Sequence, residues 1–372
     1  MVHWIIPRHP LRLVHTLLRR RRRLSRKDPQ VSTPLPPGGA APQYSAAPVT
    51  ADEVAIHAAE FDRIASSIEA AVFGKTEVVR LALVALLAQG HILLEDVPGT
   101  GKTTLARAIA SSVDGTWRRV QFTPDLLPSD VTGVTVFNQN TREFEFHPGP
   151  VFGNVVIADE INRASPKTQS ALLEVMEEGT VTVDGHRYSV PSPFLVVATQ
   201  NPVEMDGTYR LPEAQLDRFL MRLSLGYADH AAELAIIRGD RLLSPDDLKP
   251  VTNAEAIARM GQAAQRIHVH GSIYEYVLRI AHATRAHAEV RVGLSTRSTV
   301  AMAGVMRMQA LASGRHYVTP EDVKRLAEPV WAHRLVLAPE ASVSGRTGTA
   351  VLEEVLEATR VPQPEQAGSA GR

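Results

Sequence analysis

The sequence predicts an α/β fold, with a mainly parallel sheet covered by helices and a smaller helical domain after it. Three observations support this fold class. Five short apolar runs alternate with helical or turn segments, which is typical of a covered parallel sheet. A glycine-containing loop joins the first of these runs to a helix. Strand signals then disappear after about Tyr227, and the pattern of the remaining residues is helical.

Composition limits the class of protein. The chain has 372 residues, of which 44% are hydrophobic, enough for two or three structural units with their own cores. It contains no Cys, so disulfides, thiol catalysis and zinc–thiolate sites are excluded. The longest apolar run, around Leu81–Ala88, is shorter than the ~20 residues that a membrane-spanning helix needs. We therefore expect a cytoplasmic location.

The charges are distributed unevenly, although the formal net charge is zero. Residues 1–50 carry nine Lys or Arg and one acid, whereas the remaining residues carry 31 basic and 39 acidic side chains. The body of the protein is therefore acidic. We do not expect it to bind nucleic acid through a general basic surface.

The basic tail has two parts. Arg19–Arg23 is a run of five arginines that follows apolar residues at helical spacing, and the segment 28–50 contains six Pro. The first part could lie on an anionic membrane, or it could be a solvated, disordered extension or the result of a start codon placed too early. The second part is typical of a linker. A signal peptide is not predicted, because the charges follow the apolar residues.

Two helices precede the sheet, and five runs are predicted to be its strands. Val54, Phe61, Ile64 and Ile68 recur at helical spacing, and a second helix over 77–89 is predicted to end at Gly90 in a left-handed cap. The predicted strands are Ile92–Glu95, Arg119–Phe122, Val155–Asp159, Phe194–Gln200 and Met221–Leu225.

Two hairpins are predicted to interrupt this alternation. One covers Val134–Phe146, and the other covers Thr180–Val190 with Asp184-Gly185 as a type I′ turn. In the helical region, Thr319 is predicted to cap a helix that starts at Pro320. The predicted parts of the chain are the basic and then Pro-rich disordered tail (1–50), the α/β core (51–228), an all-helical domain (229–340) and a short helix with a flexible tail (341–372).

The loop after the first strand predicts a phosphate-binding site. Gly99 and Gly101 allow backbone N–H groups to converge on phosphate oxygens, and the following helix adds a positive N-terminus. Lys102 can reach the β- and γ-phosphates, and the Thr103 hydroxyl can bind Mg²⁺. Position 96 has Asp where the P-loop pattern has Gly. The predicted nucleotide-binding residues of this loop are Val97, Pro98, Gly99, Thr100, Gly101, Lys102, Thr103 and Thr104.

Polar side chains follow two of the predicted strands. Asp159 and Glu160 end the third strand, where Asp159 can hold the water shell of Mg²⁺ and Glu160 can polarise an attacking water as a general base. Gln200 and Asn201 end the fourth strand, where an amide can orient the same water. The alternatives are a surface Asp-Glu pair that caps the next helix, and a simple turn at Asn201.

These motifs together resemble those of MoxR-type AAA+ ATPases, a helix-2-insert clade of P-loop ATPases. The likeness covers about Ile68 to Ala332, and it is specific because the motifs fall in order with the right element between each pair. Asp96 in place of the first P-loop Gly is common in that subgroup. The strings that carry the resemblance are LLEDVPGTGKTTLA (93–106), QFTPDLLPSDVTG (121–133), FHPGPVF (146–152), ADEINRASPKTQSALLEVMEE (158–178) and ATQNPVEMDGTYRLPEAQLDRFL (198–220).

The resemblance implies roles for residues that spacing alone does not assign. Asn201 matches sensor 1, and Arg218 matches the arginine finger that reaches the neighbouring subunit's nucleotide. Arg297 matches sensor 2 on the lid, and Gly74 lies where the family's backbone meets the adenine. Arg163 is a second, weaker candidate for a subunit interface. Lys102 and Thr103 look like Walker A residues, Asp159 and Glu160 look like Walker B residues, and the two hairpins look like the helix-2 insert and the pre-sensor-1 hairpin.

Two of these arginines also have simpler structural interpretations. Arg218 could pair with Asp217 or Glu213 at the start of its own helix, and Arg297 could lie on a solvated helix face after the N-cap Ser295. A dedicated transition-metal site is not expected, because the histidines have no carboxylate cluster at ligand spacing.

The function implied by the resemblance is Mg²⁺-dependent hydrolysis of ATP by a ring, expected to be hexameric. The lid should rotate against the core near Leu225–His230. The family is thought to remodel or mature partner complexes as a chaperone does, often with von Willebrand factor A-type proteins. The alternatives are an ATP-gated scaffold with little turnover and a DNA-dependent motor or regulator; intact Glu160, Asn201 and Arg218 argue against the first, and the acidic body argues against the second.

Overall fold

The computed structural model describes residues 47–97, 99–200, 209, 211–228, 230–238 and 243–363. The basic stretch of the tail, Pro98 and Asn201 therefore lie outside the described residues. Residues 47–50 were assigned to the tail by the sequence, but Val49 is buried in the core and Thr50 forms a capping box with Glu53 at the start of the first helix.

The α/β core consists of alternating helices and strands, as the sequence predicts. Each of the five predicted sheet strands is present, with ends displaced by at most two residues. The elements in chain order are α1 (Ala51–Glu69), α2 (Thr76–Leu87), β1 (Ile92–Glu95), α3 (Lys102–Ser112), β2 (Trp117–Gln121), α4 (Pro128–Thr132), β3 (Gly133–Asn138), β4 (Glu143–Pro148), β5 (Val155–Asp159), α5 (Pro166–Glu178), β6 (Thr180–Val183), β7 (His186–Ser189), β8 (Leu195–Gln200), α6 (Glu213–Leu216) and β9 (Met221–Leu223).

The central sheet has five parallel strands in the order β2-β5-β8-β1-β9. Its register places Gln121 opposite Asp159 and Glu95 opposite Gln200. The carboxyl ends of all five strands therefore lie along one edge, which is where ligands bind in open α/β sheets.

Both faces of the sheet are covered. Alternate residues of the inner strands β1, β5 and β8 belong to different apolar clusters: Ile157 packs in the cluster that includes α1, α2 and α3, and Val156 packs in the cluster that includes α5. The first cluster continues into the helical domain without a break. The three inner strands β1, β5 and β8 are buried on both sides, which explains why they appear in the sequence as continuous apolar runs, whereas the edge strands β2 and β9 contain arginines.

Both predicted hairpins are present, as β3 with β4 and β6 with β7. Asp184 and Gly185 both have positive φ, 49° and 78°, as a type I′ turn requires. The first hairpin exposes Phe137 and Phe144, whose rings contact each other across the two strands.

The end of α2 differs from the predicted cap. Gln89, and not Gly90, takes the left-handed conformation (φ 56°), while the Gly90 N–H donates to the carbonyl of Ala85 at 2.9 Å. Gly90 is needed for another reason: a Cβ there would lie 2.2 Å from the Leu220 side chain. Glycine is therefore required at position 90 for close packing against Leu220, and not for a left-handed backbone conformation.

The domain after Tyr227 is helical, with one addition that the sequence did not predict. β10 and β11 form a short antiparallel pair within it. The predicted caps at Thr319 and Ser295 are both present. Across the described residues, no helix is long and apolar enough to cross a bilayer. The elements are α7 (His230–Arg238), α8 (Ala254–Gln265), α9 (Gly271–Ala286), β10 (Val290–Val292), α10 (Thr296–Ala312), α11 (Pro320–Trp331), β11 (Val336–Leu337), α12 (Pro339–Val343) and α13 (Gly348–Ala358).

Candidate functional site

The loop between β1 and α3 has the backbone that phosphate binding needs. Gly99 and Gly101 have φ of 85° and 94°, which side-chain-bearing residues rarely adopt, and a Cβ at either would meet nothing within 4 Å. The first residue of α3 is Lys102, so the N–H groups of its first turn face the loop. The Lys102 ammonium donates to the carbonyls of Asp96 (3.0 Å) and Val97 (2.8 Å).

This loop forms one wall of a cleft of about 390 Å³ at the carboxyl edge of the sheet. The ends of β2, β5 and β8 form the other walls, so residues far apart in the sequence meet there. The cleft is lined by Asp96, Gly99, Thr100, Gly101, Lys102, Thr103, Thr104, Arg119, Gln121, Asp159, Glu160, Thr199 and Gln200. The predicted phosphate loop and the predicted acidic pair thus lie in one site.

Asp159 and Glu160 have different partners, although they are adjacent. Asp159 is buried; its Oδ1 accepts from the Thr199 hydroxyl at 3.2 Å, and its Oδ2 lies 2.6 Å from Arg119 Nε. Glu160 has a left-handed backbone (φ 54°, ψ 50°), and its N–H donates to Thr199 Oγ1 at 2.9 Å. This conformation is uncommon for a residue with a side chain. It ends the strand and gives the Glu160 carboxylate its own set of contacts.

The Glu160 carboxylate is held by two donors. Gln121 Nε2 lies 2.7 Å and Arg163 Nη1 lies 2.8 Å from the same oxygen, Oε2. Arg163 therefore contacts Glu160 of the same chain.

Sequence reasoning missed Arg119, Gln121 and Thr199 as cleft residues. Arg119 and Gln121 lie near the end of β2, and Thr199 lies one residue before the polar pair that was noted. Their position at strand ends is the signal that could have identified them. It becomes usable only when β2 is known to be the neighbour of β5, and sequence spacing does not give strand order.

Arg218 and Arg297 lie together, and neither lines the cleft. Both bind Glu177: Arg218 Nε is 3.0 Å from Oε2, and Arg297 Nη1 is 3.1 Å from Oε1. The Arg218 guanidinium, followed by that of Arg297, lowers the pKa of Glu177, so this carboxylate is ionised at neutral pH. Arg218 pairs with neither Asp217 nor Glu213 among the described contacts, whereas Arg297 lies 4.0 Å from Asp217. A cavity of about 670 Å³ lies beside Arg218 and Glu177.

The other residues that are predicted to bind nucleotide do not all lie in the cleft. Gly74 has a positive φ of 72° and does not line the cleft, and its neighbour Lys75 donates to the carbonyl of Tyr227 at 2.6 Å. Thr104 lines the cleft, and Val97 contributes its carbonyl to Lys102. Pro98 and Asn201 lie outside the described residues, so their predicted roles rest on the resemblance.

One group of side chains among the described residues has the composition of a metal site. His287, Glu289 and Glu354 have ligand atoms within 4.8 Å of one another. However, the Arg346 guanidinium donates to both carboxylates, at 2.8 Å and 2.5 Å. The group is therefore part of an ion-pair network that joins the residues before β10 to α13.

The cleft contains the donors that Mg²⁺ prefers. Thr103 offers a hydroxyl and Asp159 a carboxylate, both hard oxygen ligands. The residues present fit a Mg²⁺–nucleotide complex, with backbone N–H groups and Lys102 for the phosphates. Glu160 adds a carboxylate beside them that can accept a proton from water.

Comparisons with known proteins show which family the chain resembles. Residues 91–221 match the profile of the ATPase family associated with various cellular activities (AAA), and residues 282–355 match the AAA lid domain. The chain is 50% identical to the uncharacterized protein YeaC of Bacillus subtilis, over 78% of this chain and 91% of that protein. It is 39% identical to the chaperone MoxR1 of Mycobacterium tuberculosis, over 88% and 89%. A solved structure of a candidate ATPase from Cytophaga hutchinsonii is 34% identical, with a TM-score of 0.78, over 84% of this chain and 98% of that one.

Proposed function

This chain belongs to the MoxR-type family of AAA+ ATPases, and from this premise we propose that it hydrolyses ATP to ADP and phosphate at sites shared between subunits of a ring. One observation carries the proposal. The phosphate loop, Asp159 and Glu160 lie in one cleft, whereas Arg218 and Arg297 are held together by Glu177 outside it. The cations that phosphoryl transfer needs would then reach a neighbour's nucleotide.

Within one subunit, the cleft residues have different roles in the reaction. The loop N–H groups and Lys102 bind the phosphates, and Thr103 and Asp159 would hold Mg²⁺, which neutralises phosphate charge when bound. Glu160, held by Gln121 and Arg163, orients the attacking water and accepts its proton. The chain does little covalent chemistry; its contribution is positioning and charge stabilisation.

The arginine pair would complete the site from the neighbouring subunit. Glu177 keeps both guanidinium groups on one surface, partly exposed and oriented, so that they can be presented together. A cation supplied in this way is worth about 10³–10⁵ in rate where it has been measured. Hydrolysis would therefore depend on assembly, and a ring of this kind, expected to be hexameric, would be inactive as separate subunits.

The biological role we propose is remodelling or maturation of partner protein complexes, as a chaperone does. Its support is the relative named chaperone MoxR1, which is similar over 88% of this chain. Partners of the von Willebrand factor A type are an expectation from the family resemblance.

Steady-state ATP turnover with Mg²⁺, measured over a range of protein concentrations, tests the proposed reaction. Specific activity should rise with concentration as subunits assemble. Glu160→Gln should lower turnover by about 100-fold or more because it removes the general base, and Arg218→Ala should do the same. Both variants should still bind nucleotide.

Two surface substitutions serve as matched controls for this experiment. Glu353→Gln changes an exposed carboxylate of α13, and Arg291→Ala removes an exposed arginine that pairs with Glu213. Both should retain wild-type turnover. Two outcomes would contradict the proposal and favour an ATP-gated scaffold. In one, the wild type binds nucleotide but does not hydrolyse it. In the other, the Glu160 and Arg218 variants hydrolyse ATP as fast as the wild type.

A further inference from the structure

Asp96 occupies the position where the P-loop pattern has its first glycine, and its side chain makes an unusual set of contacts. The carboxylate is buried, with the residue only 6% exposed, and it accepts three hydrogen bonds. The donors are the Ser224 hydroxyl (2.8 Å), the Leu225 N–H (2.6 Å) and the Gly226 N–H (3.0 Å). A carboxylate with three donors is a strong and directional anchor.

All three donors belong to one short segment, 224–226, which joins the core to the helical domain. The segment follows β9, the strand paired with β1, and leads to α7. Gly226 has φ of 61°, a conformation that favours glycine, so the chain turns sharply where Asp96 binds it. The next residue is held from another side, because Lys75 Nζ donates to the Tyr227 carbonyl.

Asp96 is also in contact with Lys102, the lysine that is predicted to bind phosphate. Lys102 Nζ donates to the backbone carbonyls of Asp96 and Val97, so the residue that binds the interdomain segment also binds the lysine. Phosphate oxygens compete with these two neutral carbonyls for the ammonium, and they carry the greater negative charge. A triphosphate in the cleft therefore changes the contacts of Asp96 at its backbone while its side chain stays attached to 224–226.

We propose that Asp96 is a positioning residue that couples occupation of the phosphate loop to movement of the segment 224–226, and through it to the helical domain. A glycine at position 96 could not do this, because it has no side chain to reach across to the segment. The coupling rests on the proposed function for its ligand, an adenine nucleotide with Mg²⁺, but it requires binding only and not hydrolysis.

Hydrogen–deuterium exchange with ATPγS and Mg²⁺ as the probe tests the coupling. In the wild type, the nucleotide should protect peptides covering 99–104 and change the exchange rate of peptides covering 224–238 by about 3-fold or more. Asp96→Asn and Asp96→Gly should bind the probe within about 3-fold of the wild type and keep the protection at 99–104. They should lose the change at 224–238, because the amide presents at most one acceptor oxygen and the glycine none.

Asp322→Asn is the matched control. Asp322 is also a buried carboxylate, hydrogen-bonded to Arg315 and to the cap of α11, so its loss should lower stability without affecting the coupling. It should show the wild-type response at 224–238. If all variants turn over ATP, Asp96→Asn should lower kcat and leave KM nearly unchanged, whereas Asp322→Asn should alter neither.

Three results would overturn the inference. The first is a wild-type response at 224–238 in the Asp96 variants, and the second is no response in the wild type itself. The third is loss of probe binding in both Asp96 variants, which would make Asp96 a structural part of the loop. Failure of the proposed function gives a different result: the wild type would bind the probe and show the coupling without hydrolysing ATP.

Discussion

At the scale of single residues, backbone conformation determines which contacts the acidic pair of the cleft makes. Asp159 continues the strand and contacts Arg119 and Thr199, whereas Glu160 leaves it with a left-handed turn and meets Gln121. Thr199 joins the two, since its hydroxyl binds the Asp159 carboxylate and the Glu160 N–H. Two neighbouring carboxylates can therefore take different parts in one reaction.

His91 gives a residue-scale prediction about stability. Burial lowers the pKa of His91 to about 4 from its ordinary 6.5. Its Nδ1 accepts from the Val196 N–H and its Nε2 contacts the Met176 carbonyl, so the neutral ring joins β8 to the end of α5. Below pH 6.5 the unfolded chain binds a proton there that the folded chain does not. The free energy of unfolding should therefore fall between pH 6.5 and about 4, by roughly 1.4 kcal/mol per pH unit from this residue.

Urea unfolding at several pH values, with His91→Gln beside the wild type, measures this contribution. Gln does not titrate, so its unfolding free energy should fall less steeply with decreasing pH than that of the wild type. The same substitution at His186, which is exposed on β7, is the control. Parallel pH profiles for wild type and His91→Gln would show that the buried ring does not contribute.

At the scale of elements, the helical domain holds the segment that carries Arg218. Arg334 is buried, and its Nη2 donates to the carbonyls of Phe219 (2.9 Å) and Leu220 (3.4 Å). Its Nη1 lies 3.2 Å from Asp217 Oδ1, an ion-pair distance without hydrogen-bond geometry. Burial lowers the pKa of Arg334 to about 10, an effect that Asp217 opposes, so the guanidinium is charged at neutral pH.

Arg334→Met should therefore weaken the junction between the two parts of the molecule. The methionine fills similar space but removes the guanidinium that donates to the Phe219 and Leu220 carbonyls and lies beside Asp217, and we expect a loss of about 2–3 kcal/mol in unfolding free energy. Arg291→Met, which breaks an exposed pair with Glu213, should cost less than about 1 kcal/mol. Urea denaturation distinguishes the two, and equal effects would contradict the role given to Arg334.

The elements were more predictable from the sequence than their contacts. The five strands and two hairpins follow from local patterns of apolar residues and turns, because each pattern is contained within a few neighbouring residues. Gly90 is an example of what local patterns cannot predict. A glycine is needed there because the Leu220 side chain packs against it, and Leu220 lies 130 positions away in the sequence. Arg119 and Gln121 show it again, since strand order brings them to the acidic pair.

Only part of the candidate site was predictable from the sequence. The phosphate loop and the acidic pair lie on contiguous motifs, and the structure brings them into one cleft. The pairing of Arg218 with Arg297 through Glu177 depends on how the helical domain packs on the core, and no spacing in the sequence indicates it.

At the scale of the whole molecule, the proposed hydrolysis requires a site made from two subunits. The cleft supplies the phosphate loop and Glu160, and the surface around Glu177 supplies Arg218 and Arg297. These two parts are distinct on one chain, so each subunit would contribute half of two different sites. Heterologous contacts of this kind generate a ring when the rotation between neighbours closes.

Mixing two inactive variants is the most direct measurement of this claim. Glu160→Gln and Arg218→Ala, each inactive alone, should recover ATP turnover when mixed before assembly, because some neighbours then combine an intact Glu160 with an intact Arg218. An equal mixture should regain about a quarter of the wild-type sites if subunits assemble at random. A mixture of Glu160→Gln with Lys102→Ala, which damage the same half of the site, should stay inactive. Assembled mixtures of the first pair that remain as inactive as the control would contradict the account.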